Sequence, residues 1–109
     1  MSERIPKINE LIHHHIAELL PREVDFKQGV FVTVAKVDTT PDLRYTRIFI
    51  SIFPIKETPY VLATLKKERG VLQRKLNGKL HMKPLPRIVF QSDDTEEKAD
   101  EVERLLRTL

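Results

Sequence analysis

With 109 residues, 40% of them hydrophobic and 32% charged, the chain has room for one compact domain and none for a large cleft between two. It has no cysteine, which excludes disulfides, thiolate metal sites and cysteine nucleophiles, and no apolar run long enough to cross a membrane. The formal net charge of +3 conceals a segregation: Lys66 to Arg87 holds eight bases against one acid, whereas Ser92 to Leu109 holds seven acids against three bases.

In chain order, Ile5, Ile8, Ile12, Ile16 and Leu19 recur at helical spacing, with Leu11 and Leu20 widening the stripe. Pro6 suits the first turn of that helix and Pro21 is expected to stop it. Val30 to Val37 is rich in β-branched residues, and Arg44 to Phe53 places Ile48, Ile50 and Ile52 on alternate positions. Both read as strands, joined by the turn-prone Asp38-Thr39-Thr40-Pro41-Asp42. Thr58-Pro59 starts a second helix, whose stripe of Val61, Leu65, Leu72 and Leu76 runs to Asn77-Gly78 and is interrupted at Gly70. Pro86 introduces a short strand, Ile88 to Phe90. Asp94 can cap a last helix with Ala99, Val102, Leu106 and Leu109 facing inward and Glu96 and Glu97 in its first turn.

The order α-β-β-α-(glycine break)-α-β-α predicts an α+β fold: a single domain over residues 1–109, with the helices on one face of a three-stranded sheet. Ile8, Ile12, Ile16, Val34, Ile48, Ile50, Leu65, Leu72, Leu76, Val89, Val102 and Leu106 are expected to share its core. A glycine inside a helix costs on the order of 1 kcal/mol against alanine, so Gly70 is expected to mark a kink or a close backbone approach. A helix that breaks and restarts exposes N–H groups that can hold a phosphate. The same pattern also fits a simple helix–helix corner. The basic residues around it, Lys66, Lys67, Arg69, Arg74, Lys75, Lys79 and Lys83, suggest a docking surface for a polyanion, although charge runs are also common on merely solvated helices.

These residues resemble a known family. Arg4-Ile5-x-Lys7-Ile8-x-Glu10-Leu11-Ile12 opens the first helix as in the ribosome-binding factor A family. Asp42-Leu43-Arg44-Tyr45-Thr46-Arg47-Ile48-Phe49-Ile50-Ser51 is similar to its second strand. Gly70-Val71-Leu72 with Leu76, then Pro86-x-x-x-Phe90-x-x-Asp93-x-Thr95, is similar to its helix break, last strand and final cap. The resemblance covers almost the whole chain in order. It implies a type II KH-like fold, α-β-β-α-kink-α-β with a C-terminal helix, in which an Ala-x-Gly kink replaces the Gly-x-x-Gly loop. Here the triplet is Glu68-Arg69-Gly70, and Gln73 stands where a base is common. It further implies a cytoplasmic assembly factor, monomeric when free, that binds the immature small (30S) ribosomal subunit and its 16S rRNA and assists late rRNA processing. Such a factor uses no cofactor and performs no known chemistry.

A search for chemistry points the same way. Consecutive helix positions diverge by about 100°, so His13, His14 and His15 are not expected to converge on one metal ion. Asp93-Asp94 fits a helix cap better than a two-metal nuclease centre, because no further acid is placed to complete it. No Ser-His-Asp pattern or Gly-x-x-x-x-Gly-Lys loop occurs. The expectation is therefore no enzyme, with the RNA-binding residues being Lys66, Lys67, Arg69, Gly70, Arg74, Lys75, Lys79 and Lys83. The alternative is a protein-interaction module that sets this basic helix against an acidic partner.

Overall fold

One stripe of apolar side chains decides the first element. In the computed structural model, which describes residues 4–82 and 85–93, Ile8, Ile12, Ile16, Leu19 and Leu20 are buried on helix α1, Arg4–Glu23. Pro21 does not end it. A proline removes only its own N–H and the bond that would have reached back one turn, and Pro21 lies on the exposed side. The last turn closes beyond it, where the N–H of Val24 donates to the carbonyl of Leu20 at 3.0 Å and the Val24 side chain is buried.

Strands β1, Phe31–Thr39, and β2, Tyr45–Phe53, pair antiparallel from Phe31↔Phe53 to Thr39↔Thr46. Ala35 is an extra residue in β1, between Val34↔Ile50 and Lys36↔Phe49. This bulge lets Val32, Val34 and Val37 all stand opposite the inward row Ile52, Ile50 and Ile48 despite their uneven spacing. The connecting turn is held by Asp42, whose Oδ1 accepts the Thr40 hydroxyl at 2.6 Å and the Arg44 N–H at 3.1 Å. Those two bonds, the first above all, hold the Asp42 carboxyl below its ordinary pKa. Leu43 takes the left-handed conformation, φ 61°, that closes the turn.

Strand β3, Arg87–Ser92, lies parallel to β2, giving the order β1-β2-β3. Parallel neighbours need a crossover, and helix α2, Thr58–Lys79, supplies it after a short 3-10 turn over Ile55–Glu57. Both helices pack on one face of the sheet, where Val61, Leu65, Leu72 and Leu76 meet Ile12, Ile16, Ile48, Ile50 and Ile88 in one core. Ile88, rather than the expected Val89, is the buried residue of β3. Its register pairs Ile88 with inward Thr46, and Val89 with outward Arg47. A buried polar chain fastens α1 to the sheet: the Thr39 hydroxyl donates to Asn9 Oδ1 at 2.6 Å and lies 2.9 Å from the Thr46 hydroxyl. Thr39 has one hydrogen to give, so Thr46 donates to it.

The expected break at Gly70 is corrected. α2 runs unbroken through that position, and Gly70 has no positive φ. Leu65 before it and Leu72 and Leu76 after it are buried against the core, and such packing outweighs the propensity cost of one glycine. The two helices expected around a kink are therefore one. The expected C-terminal helix, with Ala99, Val102, Leu106 and Leu109, lies outside the described residues.

Candidate nucleic-acid interface

With Val61, Leu65, Leu72 and Leu76 fixed against the core, the 3.6-residue repeat determines what the far side of α2 presents. Ala63, Lys66, Lys67, Gly70, Arg74 and Asn77 fall there, and all are exposed. Lys75, also exposed, and Arg69, half-buried, flank this stripe on its two sides. Lys79 is exposed at the C-terminal end of the helix, where a cation complements the helix dipole. Among the described residues none of Lys66, Lys67, Arg69, Arg74, Lys75 or Lys79 is held in an ion pair, so their charges are available to a ligand. Lys83 lies outside the described residues.

Gly70 sits in the middle of the stripe. A β-carbon built on it would meet nothing within 4 Å. The glycine is thus a shallow notch between lysine and arginine side chains, open from the solvent side, rather than a hinge. Glu68, the one acid of the segment, is two residues from Gly70 and so about 160° around the helix. It is half-buried beside the core stripe and does not oppose the cations of the exposed face.

Gln73 has a different task from the base that its position suggests in the family. Its Nε2 donates to the Pro86 carbonyl at 3.2 Å and to Asn77 Oδ1 at 3.0 Å, while its Oε1 accepts the Ile88 N–H at 2.9 Å. One side chain therefore pins the start of β3 to α2. Sequence alone carried no sign of this, because its partners are backbone groups 13 and 15 residues away.

Two further basic residues join the site only in three dimensions. Arg4 and Lys7 of α1 line, with Lys79 and His81, a groove of about 410 Å³ whose apolar wall includes Ile8, Leu11, Leu80 and Met82. The basic surface thus turns from the end of α2 onto the start of α1. The histidines do not form a threefold cluster. His13 and His15 are half-buried and His14 is exposed. His14 Nε2 lies 3.5 Å from Glu18 Oε1, and donor atoms of His14, His15 and Glu18 lie within 4.8 Å of one another. Asp93 ends β3 with its N–H on the Ile50 carbonyl at 2.7 Å, while Asp94 is outside the described residues.

The α-β-β-α-β order, the mixed sheet and the helices on one side define an α+β domain of the type II KH-like class. The family model described as ribosome-binding factor A matches residues 4–106, and the chain belongs to that family. It is 34% identical over 107 residues to the ribosome-binding factor A of Natranaerobius thermophilus, covering 97% of this chain and 82% of that one. Among solved structures it is similar to the crystal structure of ribosome-binding factor A from Thermus thermophilus, with a TM-score of 0.70, 21% identity and coverage of 80% and 92% of the two chains. It is also similar to a homology model of the Thermus thermophilus factor as fitted into the cryo-EM map of a complex of ribosome-binding factor A with the 30S subunit, with a TM-score of 0.66, 21% identity and coverage of 78% and 90%.

Proposed function

We propose that this protein is an assembly factor that binds the immature small (30S) ribosomal subunit through its 16S rRNA and assists late rRNA processing, without catalysing a reaction itself. The observation that carries the reading is the cationic outer side of α2, free of ion pairs among the described residues, with the Gly70 notch between Lys67 and Arg74. Lys66, Lys67, Arg69, Arg74, Lys75, Lys79 and Lys83 are the phosphate-contacting residues of this reading. Arg4 and Lys7 extend the same surface, and Gly70 lets the nucleic acid approach the helix backbone closely. The name shared by its relatives and the 30S complex of the Thermus thermophilus factor support the choice of partner. A protein that works on free subunits acts in the cytoplasm, as one domain and as a monomer until it binds.

The test is sedimentation of the tagged protein through a gradient of cell lysate. It is expected to travel with free small subunits and not with 70S ribosomes, and to leave them as salt is raised. Exclusive migration at the top of the gradient at low salt, with purified immature subunits present, overturns the reading.

A further inference from the structure

The sheet has a second face, and among the described residues no element packs on it. Thr46, Ile48 and Ile50 of the central strand β2 are buried, so the alternate residues Tyr45, Arg47, Phe49, Ser51 and Phe53 project away from the core. Phe31 of β1 stands directly across from Phe53, the ring centroids 6.4 Å apart, and the two side chains are 65% and 67% exposed. Tyr45, at the other end of the row, is 49% exposed. Lys36 lays its Nζ over the Phe49 ring, 4.6 Å from the centroid.

Single exposed apolar side chains are ordinary, but aromatic rings repeated along one strand with cations among them are a pattern. An apolar protein partner would be poorly served by it, since the centres of such interfaces are depleted in lysine. Nucleic acid matches both components. Lys36, Arg47 and Arg87, the last paired in register with Tyr45, lie on this face, and Asp38 of β1 is already engaged by Arg47. Outward residues on a strand repeat at about 6.7 Å, so the rings at alternate outward positions, Tyr45, Phe49 and Phe53, are roughly 13 Å apart, a distance that unstacked bases of an extended strand can span. A base-paired helix hides its base faces and could use only the cations.

We propose that the helix-free face of the sheet is a second RNA surface, which takes single-stranded nucleotides by stacking on Phe31, Phe53 and Tyr45 while Lys36, seated on the Phe49 ring, and Arg87 meet the phosphates. It shares with the assembly-factor reading only the choice of RNA as ligand. The surface itself is separate from that of α2, which follows phosphates regardless of strandedness.

The experiment measures binding of the full chain to a labelled twelve-nucleotide oligouridylate and to a twelve-base-pair RNA duplex. The double variant Phe31→Ala/Phe53→Ala is expected to lose at least about tenfold in affinity for the single strand and to keep its affinity for the duplex. Both rings are largely exposed, so its melting temperature should hardly move. Tyr45→Leu, at the far end of the row, provides an independent variant if the double one is unstable, and is expected to lose about fivefold. Unchanged oligouridylate binding in the folded variants overturns the proposal. So does a wild-type dimer in solution that Phe31→Ala/Phe53→Ala dissolves, because the face would then belong to a second copy. The two readings fail separately: the α2 surface is wrong if Arg74→Gln/Lys75→Gln/Lys79→Gln leaves subunit binding intact, whatever the sheet variants do.

Discussion

At the scale of single residues, the structure replaces a hinge at Gly70 with a notch and gives Gln73 the role of a clamp on β3. Gly70 lies in an unbroken helix with no positive φ and open space where a β-carbon would go. Gly70→Ala is therefore expected to raise stability by about 0.5–1 kcal/mol in chemical denaturation. If RNA approaches the backbone there, the same methyl group lowers small-subunit affinity in a variant that is more stable. Gln73 serves the fold. Gln73→Leu leaves the Ile88 N–H and the Pro86 carbonyl without their partner and is expected to cost about 1–3 kcal/mol, measured as a shift of the urea midpoint at constant slope. Asp42 sets a pH dependence. Its folded pKa is depressed, chiefly by the Thr40 hydroxyl and then by the Arg44 N–H, so its contribution is complete above the unfolded value and is lost as pH falls through the folded one. The stability difference between wild type and Asp42→Asn is expected to be constant near neutral pH and to shrink below about pH 4.

At the scale of elements, α2 carries two unrelated sets of instructions on one cylinder. Its inner side holds the crossover between two parallel strands, and its outer side presents Lys66, Lys67 and Arg74 on either side of Gly70. The outer side can bear a glycine because the buried leucines of the inner side lie both before and after it. The outer side can be stripped of charge without touching the core. Replacing Arg74, Lys75 and Lys79 together by glutamine is expected to leave the melting temperature within a few degrees. It should also reduce the slope of log affinity against log salt by about 2, at roughly 0.7 for each phosphate contact to single-stranded RNA. An unchanged slope would remove this helix from the RNA surface. The β1 bulge at Ala35 belongs to the same scale. One extra residue keeps Val34 and Val37 on the core side and so determines which side chains of β1 face outward beside β2.

For the molecule as a whole, a single layer of helices on a single sheet leaves the sheet, among the described residues, with one face buried and one open. The buried face is aliphatic, while the open face is aromatic and basic. The exposed side of α2 and the outer face of the sheet therefore look in different directions, and a ligand that reached both would have to wrap the domain. This predicts a division in footprinting of small subunits bound by the protein. Arg74→Gln/Lys75→Gln/Lys79→Gln is expected to weaken every protection together, as loss of a general phosphate contact would. Phe31→Ala/Phe53→Ala is expected to erase protections of unpaired nucleotides selectively.

Much of this architecture was legible in the amino-acid order because it rests on local periodicity. The stripe Ile8-Ile12-Ile16, the alternation Ile48-Ile50 and the punctuation at Thr58-Pro59 each report burial within one element, and α1, β2 and the start of α2 follow from them. So did the concentration of charge on α2, since every contributing residue is near in sequence. Errors arose where the outcome is decided by something distant. Pro21 and Gly70 are helix breakers by propensity, and both were overruled by packing that propensity does not contain. Which of Ile88 and Val89 is buried depends on the register of β3 against β2, and a short strand without clear alternation leaves that undetermined. The grip of Gln73 on β3, the arrival of Arg4 and Lys7 beside Lys79, and the facing of Phe31 with Phe53 join residues that are separated along the chain. Periodicity assigns a side chain to a face of its own element. Only the closing of the tertiary structure determines which other faces it meets.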